Sequence, residues 1–216
     1  MKKPEIVALL LVALIFLVSI AVYQSLPDVL ASHWDINGNV NGYMGKFWGT
    51  FLLPVIAVAI LGILAFFVRA DPLIVATKKW KIYPEWVFVI IIGFMAYIQF
   101  LCLAFNLGYK FNFTTAILPS FGLLFIFLGH LMQGMKRNYT VGIRTPWTLA
   151  DNTVWEKTHE RGGKLFKAAG LIAFLGLAFP KYAFHFLFFP VVFAALYSVF
   201  YSYFVYKATV KPGRKR

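Results

Sequence analysis

Apolar and polar positions along this chain fall into long blocks rather than a fine alternation. Six stretches carry no Asp, Glu, Lys or Arg: 6–27, 47–68, 86–109, 111–135, 168–180 and 182–206. At 1.5 Å per residue, 22 helical residues reach about 33 Å, enough to cross a hydrocarbon layer of roughly 30 Å. The many Val, Ile and Phe residues would favour strands in water. In lipid a lone strand leaves its backbone groups unpaired, so the helix wins. The pattern predicts an all-α, polytopic bundle of six transmembrane helices at 6–23, 47–68, 86–106, 113–133, 165–180 and 184–206. An outer loop falls at 24–46 and inner loops at 69–85 and 136–164.

Two of the blocks are less regular. The fifth has only 13 charge-free residues, about 20 Å of helix. Extending it back to Leu165 makes Lys167 snorkel towards the headgroups, and Gly162–Gly163 reads as a helix stop just before it. The first block follows Met1-Lys2-Lys3 and contains Ser19-Ile20-Ala21, the form of a secretory leader with its cleavage site. Its apolar run is long for a leader, and an uncleaved helix is the expectation.

Composition agrees with a membrane protein. Of 216 residues, 61% are hydrophobic and 13% charged, against roughly 25% charged in a soluble domain. A soluble globular enzyme is excluded. The single Cys102 excludes an internal disulfide framework and a cysteine-rich zinc site. The net charge of +13 has a simple origin: 18 of the 21 Lys and Arg lie in 1–5, 69–85, 136–167 and 207–216. Only Lys46, Lys110 and Lys181 fall on the other side. This bias puts both termini of a multi-pass membrane protein in the cytoplasm. Spread over four membrane-proximal segments, the cations suit lipid headgroups and not direct contact with nucleic acid.

The two long polar segments hold the candidate chemistry. In the outer loop Asn37-Gly38 and Asn41-Gly42 are turn signals, giving a hairpin-like or Ω-type loop. Trp34 and Tyr43 are interface anchors. His33 and Asp35, with Asp28 or Asn37, have donors suited to a divalent ion; an extracellular ligand or a purely structural His33–Asp35 pair are the competing readings. No cofactor is otherwise expected. In the inner loop, residues 138–147 read as extended or turned around Gly142 and Pro146. Thr148 and Asp151 then form a capping-box variant opening a short helix to Arg161, which Gly162–Gly163 ends. Asp151, Trp155 and His159 share one face of that helix. Trp155 packs it against the bundle, and Arg144 either forks onto Asp151 or Glu156 or presents its guanidinium to a lipid phosphate or a partner. The loop has no serine or cysteine nucleophile and no phosphate-binding glycine spacing, so no enzyme activity is expected. Gln99, Asn106, His130, Gln133 and His185 lie within spans and need partners. No ionised residue sits mid-span, which counts against a carboxylate relay for coupled transport.

The segment Leu26–Lys46, with Pro27 and His33-Trp34-Asp35 followed by Asn37-Gly38, resembles the pattern of an N-terminal membrane domain of unknown function. The segment Asn138–His159, followed by Gly162-Gly163-Lys164, resembles the signature of the SdpI family of bacterial immunity proteins. The one minor departure is Asp35, where Asn is common. This resemblance implies an integral plasma-membrane protein that protects a cell from its own secreted peptide toxin. It also implies a ligand-responsive receptor that holds a transcriptional repressor at the membrane. Carried over by position, Asp28, His33, Trp34 and Asp35 would meet a toxin or other extracellular ligand. Asn138, Gly142, Arg144, Pro146, Trp147, Asp151, Trp155 and His159 would couple that state to, or bind, a cytoplasmic partner. The expected role is thus immunity or signal transduction, with a small-solute or ion transporter and a membrane-embedded metal-dependent enzyme as alternatives.

Overall fold

The computed structural model describes residues 2–77 and 84–209; the predicted inner loop 69–85 thus lies partly outside the described residues. The chain runs α1 (Lys3–Val22), a 3-10 turn (Tyr23–Ser25), β1 (Val29–Trp34), β2 (Val40–Gly45), α2 (Lys46–Ala70) and α3 (Pro72–Ala76). It continues through α4 (Trp86–Asn106), α5 (Phe113–Gly134), α6 (Pro146–Ala150), α7 (Asn152–Ala173), α8 (Leu175–Ala178), a second 3-10 turn (Pro180–Tyr182) and α9 (Ala183–Thr209). Among the described residues, five helical stretches are long and apolar enough to cross a membrane: α1, α2, α4, α5 and α9. The protein is therefore a helical, multi-pass membrane bundle. The fifth predicted span does not qualify by itself, because its residues are divided between the end of α7 and α8.

The spans form two groups. In the first, α1, α2 and α4 share one core, with Ala8 and Ile15 from α1, Ala57 from α2 and Ile92 from α4 all fully buried. The buried stripe of α1, Pro4, Ala8, Val12, Ile15 and Ser19, advances in steps of three and four, the helical period. Gln99 sits at the centre for an identifiable reason. Pro54 has no N–H, so the Thr50 carbonyl one turn earlier loses its helical donor. Gln99 Nε2 donates to that carbonyl at 2.9 Å and to Ser19 Oγ at 2.9 Å. One amide thus repairs the proline defect and joins three helices.

The second group is α5, α7 and α9, and α5–α7 is the most extensive helix contact in the molecule. Here the structure corrects the reading of Gly162–Gly163 as a stop: α7 continues through both without a break. A Cβ on Gly163 would lie 2.5 Å from the Gly129 carbonyl, and one on Gly170 2.5 Å from the Gly122 carbonyl. Gly122 and Gly129 on α5 are seven residues apart, as are Gly163 and Gly170 on α7, so the antiparallel backbones touch at two levels. Small residues drive helix association in lipid, where packing rather than hydrophobicity is the attractive force. Gly162 faces the other way, and a Cβ there would meet Ile143 Cδ1 at 2.8 Å and Ser198 Oγ of α9 at 2.9 Å. Further along, Gly176 of α8 packs against Leu118 near the start of α5 and against Ala183 at the start of α9. The α7–α8 segment therefore retraces most of the length of α5.

These contacts give the bundle two polar ends. One carries the β1–β2 hairpin, the α4–α5 link and the α8–α9 turn. The other carries the N terminus, the end of α2, residues 135–161 and the end of α9. At that second end Lys2 pairs with Glu85 at 2.5 Å and Arg69 with Glu5 at 2.9 Å.

Candidate functional site

The hairpin is built on a turn of its own making. β1 and β2 pair antiparallel, with irregular register between Ala31 and His33 and again between His33 and Trp34. Asp35 organises the turn: its Oδ1 accepts from the amides of Asn37 at 2.9 Å and Asn39 at 2.8 Å. These amides, Asn39 first, hold the exposed Asp35 carboxyl below the usual carboxylate range. Gly38, at φ +85°, completes the reversal. The second turn expected at Asn41-Gly42 is absent, because both residues belong to β2. The His33–Asp35 pair does not form either. With Asp35 turned onto its amides, His33 Nδ1 instead meets Asn41 Oδ1 at 2.5 Å.

Three side chains clamp this hairpin to the helices. Asn106, at the end of α4, accepts from the Ala31 N–H at 2.8 Å and donates to the Ala31 carbonyl at 3.0 Å. It thereby acts as a one-residue strand partner. Asn112 donates to the Asn37 carbonyl at 2.6 Å, and Thr114 to the Asp35 carbonyl at 2.9 Å. The Trp34 ring stacks on Phe113 at 3.7 Å and meets Phe105 edge-on at 5.3 Å. Trp34 is thus a packing anchor more than a free interface residue. Asp28 is exposed and contributes its carbonyl to the Lys46 N–H. Among the described residues no group of three or more His, Cys, Asp and Glu side chains is placed to hold a metal ion.

The inner segment is equally constrained. Asn138, fully buried, accepts on Oδ1 from Thr140 N–H at 3.0 Å and Val141 N–H at 2.7 Å, forming a tight turn. Gly142 follows at φ +117°, with the Trp155 and His159 rings against it. This conformation and that closeness both exclude a side chain. The Trp155 indole N–H donates to the Met135 carbonyl at 2.9 Å and the ring stacks on His159 at 3.8 Å. The Ile143 N–H can only donate, so His159 Nε2 accepts from it at 2.9 Å, while Nδ1–H donates to the Trp155 carbonyl at 2.9 Å. Burial pushes the His159 pKa down to about 4, although the bond to Trp155 opposes it. The ring is neutral and structural.

The predicted capping scheme is displaced by one element. Thr145 caps α6 in a reciprocal arrangement with Thr148, with Pro146 at the first helical position. Asp151 is itself the cap of α7, accepting from Thr153 N–H at 2.7 Å and Val154 N–H at 3.0 Å. Asp151 is thereby occupied, and Arg144 reaches neither it nor Glu156. Its guanidinium donates to the Tyr139 carbonyl at 2.6 Å and stays exposed. Thr145 Oγ1 lies 3.1 Å from Ser202 Oγ and Trp147 meets Tyr203 edge-on at 5.2 Å, which seats α6 on α9.

Asp71 is the residue that sequence reading passed over. Its Oδ1 caps α3 through Leu73 N–H at 2.9 Å and Ile74 N–H at 3.2 Å. Its Oδ2 accepts from Tyr139 N–H at 2.6 Å and Thr140 Oγ1–H at 2.9 Å. Buried with 4% exposure, it ties the first helix group to the inner segment. The signal was local: Asp before Pro72 is a helix-start pattern, but its second partner is 68 residues away. Gln133 accepts from Lys167 and donates to the Glu160 carbonyl. His130 and His185 are exposed, the latter among the rings of Tyr182, Phe184 and Phe189.

Residues 135–202, spanning the inner segment through α9, match the SdpI/YfhL protein family. Residues 10–58, covering most of α1, the hairpin and half of α2, match a domain of unknown function, DUF1648. Over 206 residues the chain is 30% identical to the immunity protein SdpI of Bacillus subtilis (strain 168), covering 95% of this chain and 97% of that protein. The chain belongs to the SdpI family. Each match falls largely on one helix group of this SdpI-family bundle, DUF1648 on the first and SdpI on the second. No solved structure matches it.

Proposed function

We propose that this SdpI-family chain is a plasma-membrane immunity protein and receptor. In this reading the hairpin recognises a secreted peptide toxin or similar extracellular ligand, and the inner segment relays the bound state to a cytoplasmic partner such as a transcriptional repressor. One observation carries the reading: α2 holds both sites. At its start Gly49 packs closely on Leu30 of β1, where an added Cβ would lie 3.0 Å from the Leu30 Cβ and press on that side chain. At its end Asp71 grips Tyr139 and Thr140. A ligand that prefers one setting of the hairpin therefore biases the inner segment through a single rigid element. Such coupling requires unequal affinity for two states of the bundle.

Sidedness follows from charge. The end carrying the N terminus and residues 135–161 holds most of the Lys and Arg, which supports a cytoplasmic placement for it. The retracing of α5 by α7–α8 supports a sixth crossing, with Lys167 at its inner border and both termini inside. The family relationship supports immunity over transport. The test is survival: a Bacillus subtilis strain lacking its SdpI, made to produce this chain, is exposed to culture fluid from its SdpI-positive parent. Protection is expected, and it should weaken with changes to the exposed hairpin residues His33 and Tyr43. Full membrane expression with no protection would refute the assignment.

A further inference from the structure

A lateral groove of about 670 Å³ opens between α4 and α5, at the seam between the two helix groups. Its walls are apolar, with Phe94 and Leu123 among them; Trp86 and His130 stand at one end and Tyr97 and Pro119 at the other. Both helices qualify as membrane spans, so the groove faces hydrocarbon. Water cannot fill an apolar space there, and a void would forfeit dispersion contacts along its lining. Something from the bilayer must enter it.

The dimensions select what enters. From Trp86 to Tyr97 the groove follows 11 residues of α4, about 16 Å, which is half of a hydrocarbon layer of roughly 30 Å. It closes towards the α4–α5 link, where Tyr97 Oη donates to the Ala116 carbonyl of α5 at 2.8 Å and ties the helices together. It opens at the membrane surface on the side of the N terminus. There the His130 ring is exposed and has no hydrogen-bond partner among the described residues, while Trp86 is an indole of the kind that settles at headgroup level. We infer that the groove is a binding site for one phospholipid of that leaflet, its acyl chain lying along α4 and α5 and its phosphate accepting a hydrogen bond from His130. This site is separate from the hairpin and does not depend on the immunity reading.

The test uses the full chain in nanodiscs containing a phospholipid with a diazirine near the end of one acyl chain. Adducts mapped by mass spectrometry are expected to concentrate on Phe94 and Leu123 relative to Phe200, an exposed lipid-facing residue of α9. Gly93→Phe fills the groove. A Cβ at Gly93 meets only Leu11 Cδ1 at 3.9 Å, so the backbone need not move. The groove-to-Phe200 adduct ratio should fall about fivefold, since close packing is the force being removed. Leu123→Trp, which narrows the groove from its exposed rim, should act alike and covers the case in which Gly93→Phe fails to fold. A free fatty acid bearing the same diazirine should label the groove less than the phospholipid, and His130→Leu should erase that difference. Uniform labelling of all lipid-facing helices, or a ratio indifferent to both filling variants, overturns the site. Equal labelling by the fatty acid overturns the phospholipid assignment.

Discussion

Asp71 carries the connection between the helix groups on two oxygen atoms, and its chemistry sets the cost of changing it. Replacement by Asn turns one acceptor into a donor facing other donors. At least one of its bonds is lost and a buried donor is left unsatisfied, a penalty of about 1–3 kcal/mol. Asp71→Asn is therefore expected to lower the thermal midpoint in detergent and to loosen Tyr139, visible as faster amide exchange over residues 138–141. His159 makes a separate prediction. Its folded pKa, about 4, lies below the 6.5 of an unperturbed imidazole, so the unfolded chain takes up a proton first as pH falls. The stability that neutral His159 provides is complete above about pH 6.5. It is lost progressively as pH falls through about 4, amounting to about 3 kcal/mol in all. Protonation would set Nε2–H against the Ile143 N–H. A melting series from pH 7.5 to 4 should show this loss in the wild type and a smaller one in His159→Gln.

Among the elements, α7 shows how one residue pair changes meaning with its solvent. Gly162–Gly163 is a helix terminator by aqueous propensity, costing about 1 kcal/mol per glycine relative to Ala. Buried between α5 and α9, the same pair gains contacts that only a missing side chain permits. Gly163→Leu would force α5 and α7 apart at the Gly129 level. About 3 kcal/mol, the upper part of the overpacking range, is the expected loss on detergent or denaturant melting, with a much smaller effect from an exposed change such as Leu171→Ala. In α4, Gln99→Leu removes the donor for the Thr50 carbonyl that Pro54 orphans. A cost of about 1–2 kcal/mol is expected, and Pro54→Ala, which restores the helical donor, should make the same change milder.

At the scale of the whole molecule, the two ends of the bundle lie on opposite sides of the membrane in the proposed reading. Single cysteines in a Cys102→Ala background test this with an impermeant maleimide on sealed cells. Asn37→Cys and Tyr182→Cys should label at once, and Tyr139→Cys only after permeabilisation. Labelling of Tyr182→Cys from the inside alone would remove the α7–α8 crossing. Equal access to Asn37→Cys and Tyr139→Cys would remove the relay between hairpin and inner segment.

The spacing of charges along the chain was enough to determine a multi-pass helical bundle, because lipid penalises every unpaired backbone group and so leaves few alternatives. Asn37-Gly38 likewise marked the hairpin, and Gly142 and Pro146 a stiff inner segment, since backbone geometry at such residues is local. Which residues meet was decided only by the tertiary structure. Whether His33 faces Asp35 or Asn41, whether Arg144 reaches Asp151 or the Tyr139 carbonyl, and what Asp71 holds 68 residues away depend on contacts between distant segments. Short-range periodicity carries no information about those distances, and a glycine or an aspartate looks the same in sequence whether it ends a helix or joins two.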